Sequence, residues 1–237
     1  MFMEAPKEWI KAVYASETFI KENEGNSVGA RLKEFLTESV TDEVFTKMSD
    51  TRTPQGVLCV LKRPAHDLQK IMGGKAPFIM VLEDIQDPGN LGTIVRTAEG
   101  AGVTGIVMSD GCVDIFNPKT IRSTMGSIYR MPFTYVSDIV GVVKELNEKG
   151  VTTYAAHLKG EEPYHAFDYR KPTAFLIGNE GNGLSDEITK AAGVFLRIPM
   201  EGEVESLNAA IASAVLMYEA HRQRTTLKCF YDTLQRP

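Results

Sequence analysis

Cysteine, histidine and long apolar runs are all scarce in this chain of 237 residues. Its three cysteines, Cys59, Cys112 and Cys229, are odd in number and far apart, which excludes a disulfide framework. The four histidines show no ligand spacing, so we expect no bound metal. No run approaches the roughly 20 apolar residues of a membrane span, and the N-terminus lacks the basic start and apolar stretch of a signal peptide. The composition therefore predicts a cytoplasmic protein that does not cross a membrane.

An excess of basic residues is also missing, since the formal net charge is −5. This balance argues against indiscriminate nucleic-acid binding, because neutralising phosphates requires clustered Lys and Arg. Any RNA binding must then use local patches, although solvated surface charge explains each basic residue equally well when it is taken alone. The candidate patches are Lys119, Arg122 and Arg130 in one segment and Arg52, Lys62 and Arg63 in another.

From Phe78 onward, short apolar runs alternate with helical patterns, which predicts an α/β fold with a mainly parallel sheet and helices on both faces. Helices are expected over Leu91 to Ala101, from Asn117-Pro118, and over Asp138 to Lys149. The expected strands are Phe78 to Leu82, Gly105 to Met108, Phe133 to Val136, Val151 to Ala156, Ala174 to Ile177 and Val194 to Ile198.

The first part of the chain predicts a smaller α/β unit. Its expected elements are a strand over Ile10 to Ala15, a helix capped by Ser16, a helix around Val28 to Thr37 and a strand over Gly56 to Leu61. The stretch from Gly73 to Pro77 is a plausible linker. We therefore predict domains over residues 1–74 and 75–237.

One glycine pattern is misleading. Gly100 to Gly105 matches the dinucleotide-binding pattern G-x-G-x-x-G, which requires a strand before the glycines and a helix after them. Here a helix precedes and a strand follows. These glycines are expected to end the helix in left-handed conformations instead.

The first of three polar segments begins with the turn residues Asp87-Pro88-Gly89-Asn90 and continues as a helix to Ala98. It follows a strand, and ligands gather at such positions in open α/β sheets. Arg96 falls off the apolar stripe of this helix. By spacing alone, a surface or salt-bridged arginine is the better interpretation.

Two further segments carry chemistry-bearing residues. Gly178 to Gly183 follows a predicted strand, and its glycines allow a tight loop or close approach to a ligand, but they do not explain Glu180. Ile198 to Ala210 runs from a strand through an acidic loop to Ser206, a candidate N-cap with Leu207 and Asn208 opening the helix. That helix is apolar nearly all round, so it is either wholly internal or packed on one face against a second subunit.

The order and spacing of these three segments resemble the motifs of the SpoU (TrmH-like) RNA ribose 2′-O-methyltransferases of the SPOUT class. The segment Arg122 to Ser127 also resembles an intermediate segment of that family. The resemblance implies S-adenosylmethionine as cofactor, a homodimer and a C-terminal trefoil knot. It matches five residues to the catalytic positions, Asn90, Arg96, Glu180, Ser206 and Asn208, and four to the cofactor site, Gly178, Ile198, Met200 and Leu207.

The resemblance leaves the individual roles open. Arg96 would lie against the reacting ribose and its phosphate, where a positioning and electrostatic role is chemically easier than that of a general base because guanidinium is not readily deprotonated. Glu180 would bind a catalytic water, orient Arg96 or contact the substrate.

We expect methylation of a ribose 2′-hydroxyl, with ribosomal RNA as the favoured substrate. The alternatives are a transfer RNA methyltransferase, a non-catalytic RNA-binding relic of the family and an α/β enzyme acting on a small nucleotide. The N-terminal unit resembles the small ribosomal-protein-like substrate-binding domain that often precedes the catalytic domain. Compared with that domain it begins abruptly, so we expect it to be truncated or divergent at its start.

Overall fold

The computed structural model describes residues 1–49, 51–157 and 160–234, with side chains described to residue 225. Contacts between residues divide the chain into two units, Met1–Pro64 and Ala65–Pro237. The predicted boundary near Gly74 is therefore placed too late. The reason is a short helix, α4 (Leu68–Met72), whose Ile71 and Met72 are buried in a core cluster of the second unit.

The first unit contains a small mixed sheet. Its central strand β1 (Ile10–Ser16) is parallel to β2 (Thr37–Val40) and antiparallel to β3 (Val57–Leu61). The predicted helix over Val28 to Thr37 is wrong in its second half, because the β-branched Thr37 pairs with β1 instead. The helices of this unit are α1 (Glu17–Glu22), α2 (Ser27–Leu32) and α3 (Asp42–Met48).

The second unit is built on a parallel sheet, as the apolar runs predicted. Across the described residues the strand order is β6-β5-β4-β8-β7-β9, and each neighbouring pair is parallel. The interior strands β4, β5 and β8 are buried at each position, which explains why their sequences are continuously apolar. The strands are β4 (Phe78–Leu82), β5 (Gly105–Ser109), β6 (Phe133–Val136), β7 (Thr152–Ala156), β8 (Thr173–Ile177) and β9 (Val194–Leu196).

Helices cover both faces of this sheet. Alternate residues of β4 enter different clusters, Phe78, Met80 and Leu82 on one face and Ile79 and Val81 on the other. The first cluster includes residues of α5 and α9, and the second includes residues of α4, α7 and α8. The helices after α4 are α5 (Pro88–Ala101), α6 (Pro118–Thr124), α7 (Ile139–Glu148), α8 (Asp186–Ala191) and α9 (Ala209–Leu234).

The end of α5 settles the misleading glycine pattern. Gly102 has φ of 79° and forms the left-handed C-cap of the helix, as predicted. The chain then enters β5 directly. Gly102 therefore ends the helix, Gly100 lies within α5 and Gly105 begins β5, so the pattern does not form a phosphate loop.

The strand order also identifies the position where a ligand would bind. β4 lies between β5 on one side and β8 on the other, so the chain order reverses beside it. In open parallel sheets a crevice forms at the carboxyl ends of strands at such a point. The segments that follow β4 and β8 meet there.

Candidate active site at the carboxyl edge of the sheet

The glycine-rich segment after β8 is folded around the side chain of Asn179. Its Oδ1 accepts hydrogen bonds from the main-chain N–H groups of Gly181 and Asn182, at 2.9 and 3.0 Å. The main chain closes so tightly that a Cβ on Gly178 would lie 2.1 Å from the carbonyl carbon of Gly183. Glycine is therefore a steric requirement at position 178.

The carboxylate of Glu180 binds the start of α5. Its Oε1 accepts hydrogen bonds from the Asp87 N–H at 3.1 Å and from Asn90 Nδ2 at 2.9 Å, and its Oε2 accepts one from the Gln86 N–H at 3.1 Å. Partial burial by itself would raise the pKa of Glu180, but these hydrogen bonds outweigh it and the pKa is lowered. The arrangement holds Glu180 as a carboxylate.

The third segment joins the same network through Asn208. Its Oδ1 accepts hydrogen bonds from the N–H groups of Ala210 and Ile211, at 2.9 and 3.3 Å, so Asn208 is the N-cap of α9. The predicted N-cap at Ser206 is therefore wrong. The remaining Asn208 donor, Nδ2, reaches Asn90 Oδ1 at 3.0 Å. Glu180, Asn90 and Asn208 thus form one hydrogen-bonded chain across three segments that are distant in sequence.

The other two predicted catalytic residues stand outside this chain of hydrogen bonds. Arg96 is exposed on α5, and within the described residues it forms no hydrogen bond or ion pair with Glu180. Ser206 is exposed and lines the adjacent cleft. Both side chains therefore remain available to a ligand.

A cleft of about 650 Å³ opens between the glycine-rich segment and the chain after β9. Pockets of this size hold drug-sized ligands. The lining includes three glycines of the glycine-rich segment, and the chain after β9 contributes both apolar and polar residues. All four predicted cofactor residues line this cleft, namely Gly178, Ile198, Met200 and Leu207. The volume and the lining residues of the cleft therefore fit a molecule of the size of S-adenosylmethionine.

Sequence reasoning missed the two main-chain donors that Gln86 and Asp87 supply to Glu180. The sequence indicates a turn at Asp87, and its side chain does cap α5 by accepting the N–H of Asn90 at 2.8 Å. That hydrogen bond lowers the pKa of Asp87, with a further contribution from Lys119 at 3.3 Å. The aspartate before the proline was the available signal, because an N-cap residue marks where the chain turns into the helix.

Within the described residues, His, Cys, Asp and Glu form no cluster that could hold a metal ion. In the same residues, no helix combines the length and apolar character of a membrane span.

The profile of the "SpoU rRNA Methylase family" matches residues 77–218, which include all of these site residues. The chain belongs to this family. It is 35% identical over 179 residues to "23S rRNA (guanosine(2553)-2'-O)-methyltransferase RlmP" of Bacillus subtilis (strain 168), a match that covers 76% of this chain and 70% of the relative.

Two solved structures extend the comparison to most of the chain. The SpoU methyltransferase AviRb from Streptomyces viridochromogenes, in complex with the cofactor AdoMet (S-adenosylmethionine), has a TM-score of 0.79 and 27% identity, covering 92% of this chain and 84% of that one. The AdoMet-bound rRNA methyltransferase from Sinorhizobium meliloti has a TM-score of 0.76 and 32% identity, covering 90% and 80%. The predicted family, its methyltransferase activity and its cofactor are confirmed.

Proposed function

We propose that this SpoU-family protein transfers a methyl group to a ribose 2′-hydroxyl of ribosomal RNA. The observation that carries the proposal is the chain of hydrogen bonds from Glu180 through Asn90 to Asn208, which brings the three polar segments together beside the cleft. The rRNA substrates named for the relatives support this choice over transfer RNA.

S-adenosylmethionine supplies the methyl group when it is bound. The ribose 2′-oxygen would bond to the methyl carbon as the carbon–sulfur bond breaks, the neutral thioether product would leave, and the hydroxyl proton would pass to solvent. No covalent intermediate with the protein is required. The protein contributes positioning and the exclusion of water from the cleft. Glu180 and Asn208 hold Asn90 from both ends of its amide, which fixes the start of α5 next to the reacting atoms.

Arg96 acts on the ribose and its phosphate by charge. It lies two turns into α5, exposed and off the apolar face of the helix. Arg96→Ala should lower turnover by about 100- to 1,000-fold, the usual loss for one preorganised electrostatic contact. S-adenosylhomocysteine should bind this variant as it binds the wild type, because Arg96 does not line the cleft. Turnover within a few-fold of wild type would return Arg96 to the role of a surface residue.

RNA phosphates would lie along α5 and α6. Residues 118–130 contain basic side chains and no acidic ones. Two of these cations are paired, Lys119 with Asp87 at 3.3 Å and Arg130 with Glu99 at 2.7 Å. Arg122 and Arg96 are exposed and form no ion pair among the described residues. They provide local positive charge on an otherwise acidic chain.

The first unit would select the RNA. Every residue matched to cofactor or chemistry lies in the second unit, which suggests a separate task for the first. A fragment from Ala65 to Pro237 should bind S-adenosylhomocysteine like the full chain but lose RNA affinity. Each lost phosphate contact should reduce the slope of log affinity against log salt by roughly 0.7 to 0.9. A fragment that keeps full RNA affinity and selectivity would contradict this role.

The protein would act as a homodimer. Ile211 and Tyr218 lie two turns apart on α9 and are 51% and 52% exposed, an apolar stripe that a second copy would cover. Sedimentation at low micromolar concentration should give about twice the chain mass of 26.2 kDa. A stable, active monomer contradicts this proposal.

A trefoil knot is the remaining proposal about the fold. The chain after β9 would pass through a loop of the second unit before α9 begins. Support comes from the two segments that face each other across the cleft. A crystal structure with S-adenosylhomocysteine bound would test it, and a backbone that passes outside the loop would exclude the knot.

The activity itself is tested with labelled S-adenosylmethionine and ribosomal RNA. Ribose methylation protects the adjacent phosphodiester bond, so alkali-resistant dinucleotides should carry the label. Label on bases alone would reject the proposal. Label on transfer RNA alone would change the substrate, and binding of cofactor and RNA without transfer would indicate a non-catalytic relic.

A further inference from the structure

We propose that Asp84, just after β4, is a positioning residue whose left-handed backbone aligns the cofactor cleft with Glu180. This inference rests on the proposed function, because it concerns the same site. Asp84 itself neither lines the cleft nor binds Glu180. Its influence passes through neighbouring residues.

The backbone at Asp84 has an unusual conformation. Its φ is +53°, and among the described residues other than glycine only Met125 shares a positive φ. Most side chains disfavour this region by about 5- to 30-fold relative to the right-handed region, whereas aspartate and asparagine tolerate it better. Such a conformation persists where the surroundings fix it.

Ser109, at the end of β5, is the residue that fixes it. Its Oγ donates a hydrogen bond to Asp84 Oδ1 at 2.6 Å and accepts one from the Asp84 N–H at 2.9 Å. The two bonds close a ring around the turn. The site also needs space, because a Cβ on Gly111 would lie 2.1 Å from Asp84 Oδ1.

The turn directs the chain that follows toward Glu180. The next residue, Ile85, is completely buried and donates its N–H to Cys112 Sγ at 3.3 Å. The following two N–H groups, those of Gln86 and Asp87, are the main-chain donors to the Glu180 carboxylate. A different φ at Asp84 would rotate both donors away.

The same turn also holds the wall of the cleft. The Asp84 carbonyl accepts a hydrogen bond from Asn179 Nδ2 at 2.8 Å. The opposite end of that amide shapes the glycine-rich segment by accepting the N–H groups of Gly181 and Asn182. One backbone conformation therefore sets both the cofactor wall and the carboxylate beside it.

The test is a series of substitutions that differ in their tolerance of positive φ. Asp84→Val and Asp84→Ala disfavour the left-handed region, whereas Asp84→Gly and Asp84→Asn permit it. For each full-length protein we would measure the dissociation constant of S-adenosylhomocysteine by calorimetry, kcat and KM with ribosomal RNA, and the melting temperature.

Asp84→Val and Asp84→Ala should raise the dissociation constant and lower kcat, each by about 5- to 30-fold. Asp84→Asn should restore both values to within about threefold of wild type, and Asp84→Gly should do so nearly as well. In the double variant Asn179→Ala with Asp84→Ala, the loss of cofactor affinity should be smaller than the product of the two single losses, because both residues act on the same wall of the cleft.

Two results would overturn the inference. One is a lower melting temperature in the Val and Ala variants without any change in binding or kcat, which would make Asp84 a purely structural residue. The other is a loss of cofactor affinity and kcat in Asp84→Gly as large as in Asp84→Ala, because both variants lack the side-chain bond to Ser109 and differ only in their tolerance of a positive φ. If Asp84→Val does not fold, the Ala and Gly variants still decide. Failure of the wild type to bind S-adenosylhomocysteine would instead count against the proposed function.

Discussion

Two segments line the same cleft but are held in different ways. Gly178–Leu184 is closed by the hydrogen bonds of Asn179 and tied to the start of α5 through Glu180. Pro199–Leu207, on the other side, is largely exposed, with Val204 at 62%. Within the described residues, no hydrogen bond is formed by this second segment.

The difference indicates a division between a wall that is built in advance and a wall that a ligand completes. A preorganised wall binds without an ordering cost, whereas a segment with few contacts must lose conformational freedom when a ligand binds. The first segment should therefore respond to steric change and the second to changes in chain entropy. Substitutions at four positions, three of them with a companion variant, test this contrast from the largest expected effect to the smallest.

Gly178→Ala should disrupt the preorganised wall. Its Cβ would meet main-chain atoms of Gly183 and Leu184 at 2.1 to 2.3 Å, so the segment must open. Overpacking of this kind typically costs 1–3 kcal/mol or more, so we expect S-adenosylhomocysteine to bind about 10- to 100-fold more weakly by calorimetry.

Gly181→Ala is the matched control for that substitution. Its Cβ would lie 3.5 Å from Asn179 Oδ1, an ordinary contact distance, in the same segment. Binding should stay within about twofold of wild type. Equal losses of S-adenosylhomocysteine affinity in the two variants would show that the close main-chain approach at Gly178 does not determine the shape of the wall.

Glu180→Gln should remove a stabilising, pH-dependent contact. An amide nitrogen would replace one of the two oxygens that accept hydrogen bonds, and we expect unfolding by urea to show a loss of about 1–2 kcal/mol at neutral pH. The pKa of Glu180 is lowered in the folded state, so its contribution is present above its ordinary value of 4.5 and is lost as the pH falls through the lowered value.

The stability difference between Glu180→Gln and the wild type should therefore be constant above about pH 5.5 and shrink in more acidic solution. Glu205→Gln, across the cleft, should leave stability unchanged at neutral and at acidic pH, because this carboxylate forms no hydrogen bond among the described residues. A pH-independent difference for Glu180→Gln would contradict the assignment of its partners.

Asn208→Ala tests the point where the open segment meets α9. Loss of an N-cap typically costs about 1 kcal/mol of stability, measurable by urea unfolding. Asn208→Asp keeps the cap but loses the donor to Asn90. Asn208→Asp should recover most of the stability lost in Asn208→Ala, whereas turnover with ribosomal RNA should be low in both variants. Recovery of both stability and turnover in Asn208→Asp would show that Asn208 acts only as the helix cap.

Gly202→Ala should have the smallest effect. No atom lies within 4 Å of the Cβ position, so the substitution is sterically free. If the segment is ordered by the ligand, a stiffer chain loses about 0.4–1 kcal/mol less entropy on binding, and S-adenosylhomocysteine should bind about two- to fivefold more tightly. A higher melting temperature with unchanged binding would show that the segment is already ordered in the free protein.

How far the sequence could predict the fold depended on the kind of segment. The buried strands β4 and β8 were predicted within a residue, because a short, continuous apolar run between turn residues is typical of a strand buried on both faces. The strand β2 was missed, since Thr-Glu-Ser-Val has no fully buried position and carries no such signal. The domain boundary was misplaced because glycines near position 74 suggested a linker, whereas the short helix α4 before them packs on the sheet.

The candidate site shows the same limit. Motif order identified Asn90, Glu180 and Asn208, but no periodicity could show that they bond to one another across 90 and 118 positions of sequence. The helix start was placed at Ser206 because serine is a good cap, yet the amide of Asn208 caps α9 instead. Several residues near a helix start can serve as caps, and tertiary contacts select one of them.

The sequence by itself determined the parallel α/β architecture, the family and the set of candidate polar residues, because apolar periodicity and motif spacing are local properties of the chain. Tertiary structure alone decided which of those residues meet. The strand order puts β4 beside β8, so the turn at Asp84, the carboxylate of Glu180 and the cap of α9 converge. Hydrogen bonds depend on distances of about 3 Å between atoms, and such distances are fixed only when the sheet has formed.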